Sequence, residues 1–90
     1  MKRSKFSIQG NICGARVRLG RAMHKPPLTQ EELAAKLQVL GMDITNAIIS
    51  KIEIGDRHVI DEELRRIAQA LNVSMEWLVG DTDQPGRKLG

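Results

Sequence analysis

Residues 28–55 read LTQEELAAKLQVLGMDITNAIISKIEIG. Thr29 followed three residues later by Glu32 is a capping box, and Leu28 and Leu33 stand at hydrophobic-staple spacing, so a helix starts here. Leu33, Ala34, Leu37 and Leu40 give it one apolar stripe, and Gly41 supplies the left-handed residue that ends it. A second helix starts at Thr45, with Ile44 and Ile49 again at staple spacing, and ends at Gly55. Only a tight turn around residues 41–44 separates the pair. Two short capped helices joined this closely form a helix-turn-helix, although antiparallel pairs also occur in plain bundles.

Working outward, three more helices are expected. Upstream, a helix from about Gln9 or Asn11 to Lys25 is stopped by Pro26-Pro27, because the residue before a proline is pushed out of helical geometry. Its apolar arc reads Ile12, Ala15, Leu19, Ala22 and Met23, widened by Cys13, Val17 and Gly20, with Arg16 at the edge. Downstream, Asp61 to Leu71 places Leu64, Ile67, Ala68 and Leu71 on one face and closes at Asn72, which tolerates the left-handed region. A last helix of one to two turns is capped by Ser74, stapled by Val73 and Leu78 and stopped by Gly80. No stretch alternates apolar and polar residues as a strand would, so the fold class is all-α. The organisation expected is a basic arm over residues 1–8, one five-helix domain over 9–80 and a mobile tail over 81–90.

Composition agrees with a single small domain: 90 residues, 41% hydrophobic. The single cysteine, Cys13, supports neither an internal disulfide nor a thiolate zinc site, which points to a reducing, cytoplasmic setting. The basic start lacks the apolar stretch of a signal peptide, and no run approaches the ~18 apolar residues of a membrane span. Charge is uneven. Residues 1–25 carry seven basic residues and no acid, whereas residues 26–90 carry seven basic and eleven acidic ones, so +7 and −4 combine into the net +3. A basic end suits a polyanion, because each Lys or Arg set against a phosphate releases counterions. With 2% aromatics, the stacking platforms that hold single strands are missing, so a nucleic-acid target would be a duplex.

Catalytic chemistry finds little support. His24 beside the proline break and His58 in a loop have no motif around them, and the pairs Glu31-Glu32 and Glu62-Glu63 sit where helix starts favour negative charge. No phosphate loop and no metal-ligand spacing occurs, so neither enzyme activity, cofactor nor metal is expected.

The segments LTQEELAAKL (28–37), ISKIEIGDR (49–57) and IAQALNV (67–73), with Trp77-Leu78, closely resemble the Cro/cI-type (XRE) helix-turn-helix family of bacterial and phage repressors, in that family's order over roughly residues 12–80. The resemblance implies a DNA-binding transcription regulator, most often a repressor acting as a homodimer on double-stranded DNA. It places Asn46, Ala47, Ile48 and Lys51 where the family reads bases. Asn can bond adenine bidentately, Lys can reach guanine, and Ala47 and Ile48 can touch thymine methyls. Ile48 is open between groove and core, and Lys51 between base and phosphate. Gln30 matches a position that contacts a phosphate and braces the recognition helix, and Thr45 is first a cap and second a phosphate contact. Arg57 and His58 match a loop that grips the backbone, with an ordinary solvated turn as the alternative. Arg21 and Glu53 match an ion pair tying the first helix to the third. Lys2, Arg3 and Lys5 form either a groove-tracking arm or a tail without a fixed role. Dimer contacts are expected around Met75, Trp77 and Val79, unless Trp77 belongs to the core.

The chain departs from the family pattern in four places. The stretch 37–44 is longer than the usual link, so the second helix is expected to run an extra turn, and Pro26-Pro27 lengthen the first connection. Gly20 replaces a larger apolar residue, leaving a gap for Met23 or Leu19 to fill. Asp61 stands where an apolar residue is usual and is expected to cap the fourth helix. On the same fold the chain can also be read as an antitoxin with a toxin partner or a restriction-modification controller. From a different class, it can be read as a protein-interaction module that has lost DNA.

Overall fold

The computed structural model describes residues 10–86. Five helices follow one another: α1 (Gly14–Ala22), α2 (Gln30–Val39), α3 (Asn46–Glu53), α4 (Asp61–Leu71) and α5 (Met75–Leu78), with no strand among the described residues. Leu33 and Leu37 of α2, Ile49 and Ile52 of α3, Ile67 and Leu71 of α4 and Leu78 of α5 close around Val17 and Ile44 in one core. Trp77 is 3% exposed and belongs to it, so it is not free for the dimer contact considered above.

Local signals set the boundaries of α2 to α5. Thr29 Oγ1 accepts from Glu32 N at 3.0 Å and the Glu32 carboxylate accepts from Thr29 N at 2.8 Å, which is the complete capping box. At the far end Gly41, at φ +94°, lets Met42 N reach back to the Leu37 carbonyl at 2.9 Å. The longer link is pinned from two sides: Gln38 Nε2 donates to the Ile44 carbonyl at 2.7 Å, and Arg66 Nη1 donates to the Leu40 carbonyl at 2.7 Å. Asn72, at φ 62°, closes α4 after Leu71.

Four expectations need correction. First, α1 is shorter, and its buried face is Cys13, Gly14, Val17 and Gly20, while Ile12, Leu19 and Met23 are 59%, 48% and 41% exposed. The cause is close approach: a Cβ on Gly14 would collide with the Ile52 carbonyl oxygen, so the smallest residues mark the contact, not the bulkiest. The chain also leaves the helix before the prolines, because the Arg21 carbonyl is taken by Leu28 N at 3.0 Å. Second, neither Met23 nor Leu19 covers Gly20; Leu71 does, its Cδ1 lying 3.0 Å from where a Cβ would stand.

Third, Asp61 is the first residue of α4 rather than its cap. Ile60 holds the cap position, and an isoleucine side chain has no acceptor to offer. Glu63 supplies the useful bond by accepting from Ile60 N at 3.2 Å. Fourth, residues 81–86 of the expected tail are tied to the domain. Pro85 O accepts from Ser74 N at 2.8 Å, and Arg16 donates to the Thr82 carbonyl at 3.2 Å and to Asp83 at 3.1 Å. The same guanidinium lies 4.7 Å from the centre of the Trp77 ring.

Candidate nucleic-acid interface

The α2–turn–α3 unit presents one side of α3 outward. Thr45 Oγ1 caps the helix by accepting from Ile48 N at 3.3 Å. On a 3.6-residue period Asn46, Ala47, Ser50 and Lys51 share one arc opposite Ile49 and Ile52, which are fully buried. Asn46, Ala47 and Lys51 are exposed, and neither Asn46 nor Lys51 has a side-chain hydrogen bond to another group among the described residues. Ile48 lies at the edge, half-buried and packed against the core. Ser50, half-buried one turn after Asn46, was not singled out from the sequence, although the same spacing would have found it.

The orientation of α3 is set by its last residue. The Glu53 carboxylate accepts from Arg21 Nε at 2.6 Å and Nη2 at 2.9 Å, and from Gln30 Nε2 at 3.1 Å. Arg21 also donates Nη1 to the Leu28 carbonyl at 2.8 Å, so α1, α2 and the connection between them all bear on one carboxylate. The hydrogen bonds from Arg21 to Glu53 raise the already high guanidinium pKa, so this charge is permanent. A carboxylate in the last turn opposes the helix dipole, and the paired arginine offsets that cost.

Asn11 is a second brace that sequence reasoning passed over. Its Oδ1 accepts from Cys13 N at 2.9 Å and Gly14 N at 2.7 Å, starting α1, while Nδ2 donates to the Ile52 carbonyl at 3.1 Å and the Arg57 carbonyl at 2.8 Å. An Asn three residues before the first helical position is a cap signal, but its carbonyl partners more than forty residues away leave no local trace.

Beyond α3, Arg57 and His58 lie apart in character. His58 is exposed, whereas Arg57 is neither free nor merely solvated, since its guanidinium grips the Glu63 carboxylate through two bonds of 3.0 Å. Lys2, Arg3 and Lys5 lie outside the described residues. The basic end is also less available than its count suggests, because Arg16 and Arg21 are spent on internal partners.

These elements define a helix-turn-helix domain. The family model described as Helix-turn-helix matches residues 28–78, more than half of the chain, so the protein belongs to the Cro/cI-type (XRE) helix-turn-helix family. It is a DNA-binding regulatory domain of that type. No curated protein matches the chain. Among the described residues no helix is long and apolar enough to cross a membrane.

Proposed function

We propose that the protein is a sequence-specific repressor that docks as a homodimer on a two-fold or pseudo-two-fold operator, with one α3 in the major groove of each half-site. The observation that carries this reading is the outward arc of α3, where Asn46 and Lys51 keep their hydrogen-bonding groups uncommitted among the described residues, beside exposed Ala47. In this reading Asn46, Ala47, Lys51 and the outer edge of Ile48 meet base edges, while Gln30, Thr45, Arg57 and His58 meet the sugar-phosphate backbone. Lys2, Arg3 and Lys5 supply further phosphate contacts. A domain this small makes few contacts alone, and a second copy about one duplex turn away supplies the rest of the affinity.

Selection from random duplexes, followed by affinity against salt, tests this. The expected result is an enriched half-site repeat whose affinity falls steeply as salt rises. Asn46→Ala should cost about 1–3 kcal/mol on the selected operator and relax one base position. An Asn46→Ala variant with unaltered sequence preference would remove α3's outer arc as the reading face. Enrichment of no sequence at all would favour a protein-interaction module instead.

A further inference from the structure

Arg57 lies four residues past the end of α3, and both its main chain and its side chain are held from outside the loop. Asn11 Nδ2 donates to its carbonyl at 2.8 Å. Its Nη1 and Nη2 donate to Oε1 and Oε2 of Glu63, each at 3.0 Å, and Nη1 donates its other hydrogen to the His58 carbonyl at 3.1 Å. A guanidinium has five N–H groups arranged in two usable forks. Glu63 occupies the end fork, so the side fork, Nε–H with the remaining hydrogen of Nη2, has no partner among the described residues. The side chain is 32% exposed, and among the described residues no side-chain nitrogen lacking a partner is fully buried, so that fork has access to solvent. Glu63 does not drift with it: it sits in the first turn of α4, and Oε1 also accepts from Ile60 N.

We infer that Glu63 is a positioning residue for DNA binding, aiming the side fork of Arg57 at a backbone phosphate beside the segment that α3 reads. This deepens the DNA-binding reading and rests on it. Two physical effects compete at Glu63. As a bare counter-charge it would weaken the attraction of Arg57 for a phosphate. As an anchor it removes the freedom that a long side chain would otherwise lose on binding, and it leaves the fork that can donate to two phosphate oxygens pointing away from the pair. The anchor role prevails because both ends are fixed: the carboxylate by a helix terminus, and the Arg57 main chain by Asn11.

The two effects give opposite signs in one experiment. Binding of the selected duplex is measured across a salt series for the wild type, Glu63→Gln, Arg57→Lys, Arg57→Ala and the Glu63→Gln/Arg57→Ala double variant. Gln keeps an acceptor for Ile60 N, and every measurement is made well below the unfolding midpoint of the variant. Arg57→Ala should lower affinity about tenfold and reduce the salt slope by about 1. Glu63→Gln should weaken binding several-fold although it removes a negative charge, and it should add nothing in the double variant. Arg57→Lys should keep the charge yet lose most of the affinity that Ala loses, since an ammonium cannot hold two anions in a fixed geometry.

Unchanged or tighter binding by Glu63→Gln, or full affinity in Arg57→Lys, overturns the positioning role while leaving the DNA reading intact. A wild-type chain that selects no duplex overturns both.

Discussion

Cys13 shows how burial decides the chemistry of one side chain. It is 1% exposed at the head of α1, and burial pushes its thiol up to about 11 from an ordinary 9.0. A raised folded-state pKa stabilises the fold fully below the ordinary thiol value, and the contribution is lost as pH climbs from about 9 towards 11, because the unfolded chain ionises first. Urea unfolding at pH 8 and at pH 10.5 should therefore show the stability gap between wild type and Cys13→Ala shrinking at the higher pH. At pH 8 the native thiol should be alkylated only as fast as the fold opens; rapid modification without unfolding would contradict its placement. Glu53 makes the same point for charge. From sequence it is one of eleven acids, and only the fold gives it three donors from two other helices.

At the scale of elements, α2 to α5 were legible because their ends are encoded within five or six residues. Thr29 with Glu32, Thr45, Ser74, Gly41, Gly55, Asn72 and Gly80 each act on neighbours a few positions away. The face of α1 was not legible, since the rule that bulk marks the core fails where two backbones touch. This separates two glycines. Gly14→Ala would drive a methyl into the carbonyls of Ile52 and Glu53, which are backbone and cannot yield, so a loss of about 2–3 kcal/mol is expected. Gly20→Ala meets only the end of the Leu71 side chain, and the better helix propensity of Ala offsets the crowding, so stability should stay within about 1 kcal/mol of wild type. Denaturant midpoints at constant slope measure both, and equal losses would sink the close-approach account of α1.

Taken as a whole molecule, the domain spends much of its positive charge on itself. Arg16 and Arg21 join Arg57 and Arg66 in internal bonds, and α3 itself carries a single cation, the exposed Lys51. The chain beyond α5 takes part in this economy, since Thr82, Asp83 and Pro85 hold Arg16 and the start of α5. Ending the protein after Gly80 should cost about 1–2 kcal/mol and lower the unfolding midpoint by roughly 5–10 °C, read by thermal denaturation. An unchanged midpoint would mean that these bonds add nothing in solution.

The amino-acid sequence by itself determined the existence of five helices, the ends of α2 to α5 and the outward placing of Asn46, Ala47 and Lys51 on α3. Capping, stapling and left-handed termination act over a few bonds, and a helical period sorts one helix's own faces. Tertiary structure alone decided which side of α1 is buried, where Arg16 and Arg57 spend their charge, and how Asn11 and Glu53 aim the recognition helix. Those outcomes depend on groups between six and sixty-seven positions away, and a hydrogen bond formed across that distance leaves no periodicity in the chain that makes it.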